Sequence, residues 1–322
     1  MALRVAVQMD PLEHINIAGD SSFALILSAQ ERGHKVWHYD VGSLAYEGDG
    51  TRHGKITAHA APVTVQRVEG DHFSIDERRR IDLAHDIDVV LMRQDPPFHL
   101  GYISAAFLLD RLRGTTLVVN DPREVVNAPE KMFVLDSAQF MPPTLVARKL
   151  DDLRDFQNKH GSVVMKPLHG NGGKAIFRIA EDGTNLSALS EVFDQTWPEP
   201  HMVQPFLPEV SEGDKRIVLV DGEFAGAINR FPGEGEFRSN LAQGGHAEAA
   251  TLTAREEEIC AAMGSELKRR GLVFVGIDVI GGKWLTEINV TSPTGIVAID
   301  RFNGTDTAGR IWDAIERRHA NL

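Results

Sequence analysis

The chain has 322 residues, with 34 basic against 46 acidic side chains and 42% apolar residues. That length suits about two domains, each with its own core. No window approaches 18 consecutive apolar residues, so no membrane-spanning helix is expected. The acidic balance, a formal charge of −12, argues against nucleic acid as a partner. A single cysteine, Cys260, rules out a disulfide scaffold and suits a reducing compartment. With no apolar signal stretch at the start, the expectation is a cytoplasmic protein.

In chain order, residues 3–9 predict a strand, and Ser22 predicts the cap of a helix ending at Gly33. A strand follows over 34–39. The alternation across 55–68 predicts a solvent-facing pair of strands. The apolar run within 87–92 predicts a buried parallel strand. A helix over 102–113 and a strand over 115–119 complete a doubly wound parallel sheet, an α/β arrangement, over residues 1–120.

The second half reads as α+β. A helix over 151–160, capped by Asp151, stops at Gly161. Strands are expected over 163–166, 175–179, 201–204, 216–220 and 224–229. Thr253 and Glu256 form a capping box ahead of a helix. Strands over 272–280 and 284–289 then make a hairpin around Gly281-Gly282. Residues 231–247, with four glycines and the polar run Arg238-Ser239-Asn240, predict a lid or binding loop.

Most catalytic templates fail. The run Gly170-Asn171-Gly172-Gly173-Lys174-Ala175 lacks the third glycine of a dinucleotide fingerprint. It also lacks the leading glycine and the Ser or Thr of a P-loop. Cys260 reads as a small buried hydrophobe. The glycine run still lets successive backbone N–H groups approach phosphate oxygens, and Lys166 brings charge to the same end. A glycine-rich hairpin turn would look the same.

The C-terminal hairpin is more specific. A two-residue turn pairs Asp278 with Leu285 and Gly276 with Glu287. Asp278, Glu287 and Asn289 then share one face, with Gly276 leaving room for a ligand. Three oxygen donors suit Mg²⁺. Phe274, Ile280 and Leu285 on that face argue against plain solvent exposure.

The stretch Leu285-Thr286-Glu287-Ile288-Asn289-Val290-Thr291-Ser292-Pro293-Thr294, preceded by Val275-Gly276-Ile277-Asp278, resembles the prokaryotic glutathione synthetases, ligases of the ATP-grasp superfamily. Met9-Asp10-Pro11, Asp20-Ser21-Ser22-Phe23, Met92-Arg93-Gln94-Asp95-Pro96-Pro97-Phe98, Val119-Asn120-Asp121-Pro122, Glu130-Lys131 and Gly213-Asp214-Lys215-Arg216 carry the resemblance through most of the chain. It implies a doubly wound N-terminal domain over 1–122 and a two-part ATP-grasp fold. The small subdomain would cover 123–205, and the C-terminal subdomain 206–322. It implies ATP-dependent ligation of γ-glutamylcysteine and glycine through an acyl phosphate, with Mg²⁺, or alternatively Mn²⁺, in a cytoplasmic homotetramer.

Roles implied by the resemblance follow residue by residue. Lys131, Lys166 and the loop Gly170, Asn171, Gly172 and Gly173 would hold the nucleotide phosphates. Gln204, Pro205, Phe206 and Leu207 would hold the adenine. Asp278, Glu287 and Asn289 match metal ligands, and Arg216, Arg230 and Arg238 match arginines at the transferring phosphoryl group. Asp10, Asn16, Asp20, Ser21 and Asn240 are candidates for substrate binding. Two positions depart from the family pattern. Lys174 stands where a small residue is usual, and Val297-Ala298 stands where Arg-Glu is frequent. The alternatives are another ATP-grasp carboxylate–amine ligase and an ATP-binding regulator without turnover.

Overall fold

The structure is a computed structural model that describes residues 2–48, 50, 54–239 and 245–322. It is built on three sheets. In the first, Arg4–Gln8 lies between Lys35–Tyr39 and Val89–Met92, and Leu117–Val119 extends the same parallel set. Val5 and Val7 pack toward helix Ser21–Glu31, whereas Ala6 and Val90 pack toward helix Leu100–Leu109. Helices on both faces make this the expected doubly wound core.

Its other edge is antiparallel, which the sequence pattern did not reveal. Residues 55–68 are not a solvent-facing pair of strands. Lys55–Val65 is one long strand that pairs with Lys35–Tyr39 and also with Leu44–Glu47, Phe73–Ile75 and Arg79–Asp82. Ile56, Ala58, Ala60 and Ala61 on it are buried, because both faces are covered and alternation no longer separates inside from outside. The first long helix is capped two residues earlier than expected. Asp20 Oδ1 accepts the Phe23 N–H at 2.7 Å, while Ser21 and Ser22 are buried. Asp151 likewise sits in the first turn of Leu150–His160, where its charge favours the helix dipole without a capping bond.

The second sheet, in the order Phe177–Ile179, Val163–Pro167, His201–Pro205, Leu145–Ala147, is antiparallel and has its own small core around Leu153, Met165, Phe193 and Val203. The third runs His246–Ala249, Glu223–Phe231, Asp214–Val220, Phe274–Ile280, Trp284–Asn289, again antiparallel. Helix Ala254–Arg269 opens with the expected Thr253–Glu256 capping box. It lays Ile259, Met263 and Leu267 on one face of this sheet, and helix Ile296–Asn303 lays Ile296 and Ile299 on the other.

The third sheet is joined to the first by shared cores and by buried polar contacts. Asn120 Nδ2 donates to the carbonyls of Phe274 and Val290, each at 2.8 Å, and Asn120 Oδ1 accepts the Phe274 N–H at 2.9 Å. The C-terminal helix Thr307–His319 packs on Ser21–Glu31, with Trp312 Nε1 donating to the Leu25 carbonyl at 2.8 Å. Among the described residues no helix is long and apolar enough to cross a membrane.

The Asn120→Ala change removes the partner of three buried backbone groups at once. It should destabilise the protein by about 3 kcal/mol, read as a shifted midpoint in denaturant unfolding. An unshifted midpoint would mean that these contacts do not hold the sheets together.

Candidate active site

A cavity of about 450 Å³ lies between the second and third sheets. Its floor is the Phe274–Ile280 and Trp284–Asn289 pair, whose register differs from the expected one. Asp278 stands directly opposite Glu287, and Gly276 opposite Asn289. The turn takes three residues, Gly281, Gly282 and Lys283, with both glycines at positive φ of 60° and 63°. A bulge at Thr286 then restores the phase, since Asp278 pairs with Glu287 but Val279 pairs with Leu285. Asp278, Glu287 and Asn289 do share one face, as the alternation implied. Leu285 belongs to the opposite, core-facing side. Nor does Gly276 make room for a ligand across from Glu287. A Cβ there would crowd the Arg216 guanidinium, at 3.1 Å from Nη1.

Arg216 is the centre of the charge arrangement. Its Nε and Nη2 donate to the two Asp278 oxygens at 2.6 and 3.0 Å, and its Nη1 donates to the Thr294 carbonyl at 3.2 Å. Arg230 Nη2 lies between Asp214, at 2.8 Å, and Asp278, at 3.0 Å. Asn289 Nδ2 donates to Asp278 Oδ2 at 3.2 Å. Burial acts to raise the Asp278 pKa, but the two guanidiniums outweigh it and hold the group well below the usual carboxylate range. Asp214 has less compensation, and burial pushes it up to about 6.

The two lysines stand across the cavity from this cluster. Lys131 Nζ donates to the Gly170 carbonyl at 2.6 Å and lies 3.3 Å from Glu287 Oε1. The Lys166 side chain is buried, makes no hydrogen bond among the described residues, and is pulled down to about 8 by burial.

Above them the glycine run turns with Gly172 and Gly173 at φ of 62° and 71°. Gly170 has no room for a side chain, since a Cβ would meet Pro167 at 2.6 Å. Lys174 is exposed at the rim, and Val297 and Ala298 pack into the core instead of reaching the site. Gln204, Pro205, Phe206 and Leu207 form an apolar wall with Val164, Ile176 and Ile280. The Arg178 guanidinium covers the Phe206 ring at 3.8 Å.

The expected lid is part of a strand pair. Phe231 pairs with His246 and Arg230 with Ala247, so both ends of the expected loop are strand, and its described non-strand residues are 232–239 and 245. Phe237, Arg238 and Ser239 line the cavity, and Arg238 Nη1 donates to the Gly173 carbonyl at 3.1 Å. Asn240 lies outside the described residues.

The N-terminal candidates do not line the cavity, though Asp10 and Ser21 bond to residues at or next to its wall. Asp10 Oδ2 accepts the Asp95 N–H at 3.0 Å, and Asp95 reaches the cavity. Asn16 Oδ1 caps a local turn by accepting the Ala18 N–H. Asp20 caps its helix, and Ser21 Oγ accepts the Gly295 N–H at 3.2 Å.

Sequence reasoning gave no role to Asp214, Glu130 or Arg93. Asp214 was findable, because it sits two residues before Arg216 on the same strand and so on the same face. Glu130, which accepts from Thr291 Oγ1 at 2.8 Å, and Arg93 are positioned by contacts 161 and 200 residues away in the chain. No local pattern reports such contacts. Among the described residues no group of three His, Cys, Asp or Glu side chains is arranged to hold a metal, so a cation here would draw on Asn289. The donors fit that use: two carboxylates and an amide oxygen on one face are hard oxygen ligands.

Two family models cover most of the chain: the N-terminal domain of prokaryotic glutathione synthetase over residues 3–125, and its ATP-grasp domain over 130–304. Relatives described as glutathione synthetase, from Rhodopseudomonas palustris and Bradyrhizobium diazoefficiens, are each 53% identical over 99% of this chain and 100% of their own length. Among solved structures, D-cycloserine synthetase DcsG superposes with a TM-score of 0.69 at 17% identity, covering 98% of this chain and 99% of that one. A RimK domain ATP-grasp protein from Sphaerobacter thermophilus gives 0.64 at 18%, over 97% and 98%. These two likenesses show the fold.

Lys166 supplies a test of whether an anion binds beside it in this cavity. Burial pulls its pKa down to about 8, so near pH 8 the free protein holds less than a full proton there. A phosphate beside it favours the charged form, so ADP binding at that pH should take up a fraction of a proton. Calorimetry in buffers of different ionisation enthalpy reads this number. Lys166→Arg, charged throughout, should abolish the uptake. Binding without uptake in the unmodified protein would remove Lys166 from the phosphate site.

Proposed function

The chain belongs to the prokaryotic glutathione synthetase family, and on that premise we propose that it joins γ-glutamylcysteine to glycine at the expense of ATP. The carrying observation is the convergence of Lys131, Lys166, Arg216 and Arg230 with Asp278, Glu287 and Asn289 on one cavity, in a chain whose full length matches relatives of that name.

The nucleotide's adenine would lie against Phe206 and Leu207, with the backbone of Gln204–Leu207 meeting its polar edge. Its phosphates would lie under Gly170–Gly173, between Lys131 and Lys166. The terminal phosphoryl group passes to the free carboxylate of the dipeptide, giving ADP and an acyl phosphate. The glycine amine then attacks that carbonyl, forming the C–N bond, and phosphate leaves as the amine loses its proton. Arg216 and Arg230, oriented by Asp278 and Asp214, place fixed positive charge where the transferring group becomes most anionic.

Asp278, Glu287 and Asn289 would hold Mg²⁺, or alternatively Mn²⁺, which would supply positive charge to offset the charge developing on the phosphates. Both Asp278 oxygens already accept hydrogen bonds, from Arg216 and Asn289, and Arg230 lies 3.0 Å from Oδ1. A cation at Asp278 would share it with these groups. Phe237, Arg238 and Ser239 would cover the cavity so that glycine meets the acyl phosphate in place of water, with Asn240 a further candidate for substrate binding. Asp10, Asn16, Asp20 and Ser21 would act at the dipeptide end, the last two through the backbone they hold. A cytoplasmic homotetramer completes the proposal.

Phosphate release and glutathione formation should appear together, and only with ATP, γ-glutamylcysteine and glycine all present. Glu287→Gln should keep the fold and lower turnover by roughly 100-fold or more. Wild-type turnover in that variant would end the metal assignment. Turnover with a different acceptor pair would move the protein to another carboxylate–amine ligase activity.

A further inference from the structure

Arg93 is a buried cation, 5% exposed, at the end of strand Val89–Met92. Its hydrogen bonds go to neutral groups. Nε donates to Ser22 Oγ at 3.0 Å and Nη2 to the Pro293 carbonyl at 2.8 Å, and the guanidinium lies over the Phe274 ring at 5.2 Å. Among the described residues no carboxylate is hydrogen-bonded to it. Burying a charge in this way is costly, and an apolar residue of similar volume is often at least as stable. Stability alone therefore does not account for an arginine here.

What the side chain holds is a wall of the cavity. Ser292, Pro293 and Thr294 line it, immediately beyond Asn289 on the chain. Ser292 Oγ donates to the Arg93 carbonyl at 3.3 Å, so the side chain and backbone of Arg93 grip successive residues. The same segment touches Arg216 through the Thr294 carbonyl. We infer that Arg93 is a positioning residue, locking the 291–295 segment against the N-terminal domain and so fixing the wall of the cavity at its proposed dipeptide end.

The kinetic arm of the test rests on the proposed ligase reading; the exchange arm does not. Arg93→Met should lower kcat/KM for the dipeptide about 10- to 100-fold, the loss expected when a reacting group is displaced by about 1 Å. KM for ATP and the affinity for ADP should stay within about twofold, because the glycine loop and the Gln204–Leu207 wall belong to a different sheet. Arg93→Lys, a point charge that cannot span both acceptors, should recover part of the loss. Hydrogen exchange across 290–296 should quicken in Arg93→Met and remain slow across 4–8.

Ser22→Ala, which removes one acceptor and little volume, serves if Arg93→Met does not fold, and should change exchange and kcat/KM in the same directions. Unchanged exchange and unchanged kcat/KM would overturn the inference, as would a parallel loss of ADP affinity. If the unmodified protein forms no glutathione, the ligase reading fails, and the exchange and ADP measurements still decide the role of Arg93.

Discussion

The buried pair of Arg216 and Asp278 is the constraint around which the site is arranged. An ion pair inside a sheet survives the loss of hydration only with good geometry and with its remaining hydrogen-bonding positions filled. Both conditions are met, since the guanidinium is bidentate and Arg230 and Asn289 supply further donors. Gly276 is part of the same solution, because any side chain there would press on Arg216. With Asp278 fixed, the pairing of its strand sets where Glu287 and Asn289 must stand.

The charge balance of the cavity runs against that of the chain. Acidic residues outnumber basic ones by 46 to 34 overall. Among the described residues lining the cavity, six are Lys or Arg and five are Asp or Glu. Such a local reversal inside an acidic protein focuses a positive field on one cleft and draws anions there. Three of the five carboxylates are paired with cations, Asp214 with Arg230, Asp278 with Arg216 and Glu287 with Lys131. They orient the positive groups without cancelling their reach.

Much of this was legible in the sequence, and the failures have physical causes. Alternating strands and helices gave the parallel core, and the Thr253–Glu256 box gave a helix start, because both depend on local chemistry. The face shared by Asp278, Glu287 and Asn289 was readable from a period of two. The register was not, because Thr286 inserts one residue and moves Leu285 to the other side. Lys55–Val65 misled because small alanines packed on both faces look like an alternating surface. Arg93 and Glu130 act through partners far along the chain, and only folding brings those partners near.

The division of the cores separates the rigid part of the site from the part able to adjust. The first and third sheets share two apolar clusters and are joined further by Asn120 and Trp312. The arginines, Asp278 and the 291–295 wall therefore stand on one packed body. The second sheet keeps a small core of its own and carries Lys166, the glycine loop and Phe206. Two polar contacts between the glycine loop and other parts of the cavity are Lys131 to the Gly170 carbonyl and Arg238 to the Gly173 carbonyl. Both donors are cations that phosphate oxygens attract more strongly than neutral carbonyls do. An anionic ligand entering here competes for the groups that hold the loop in place.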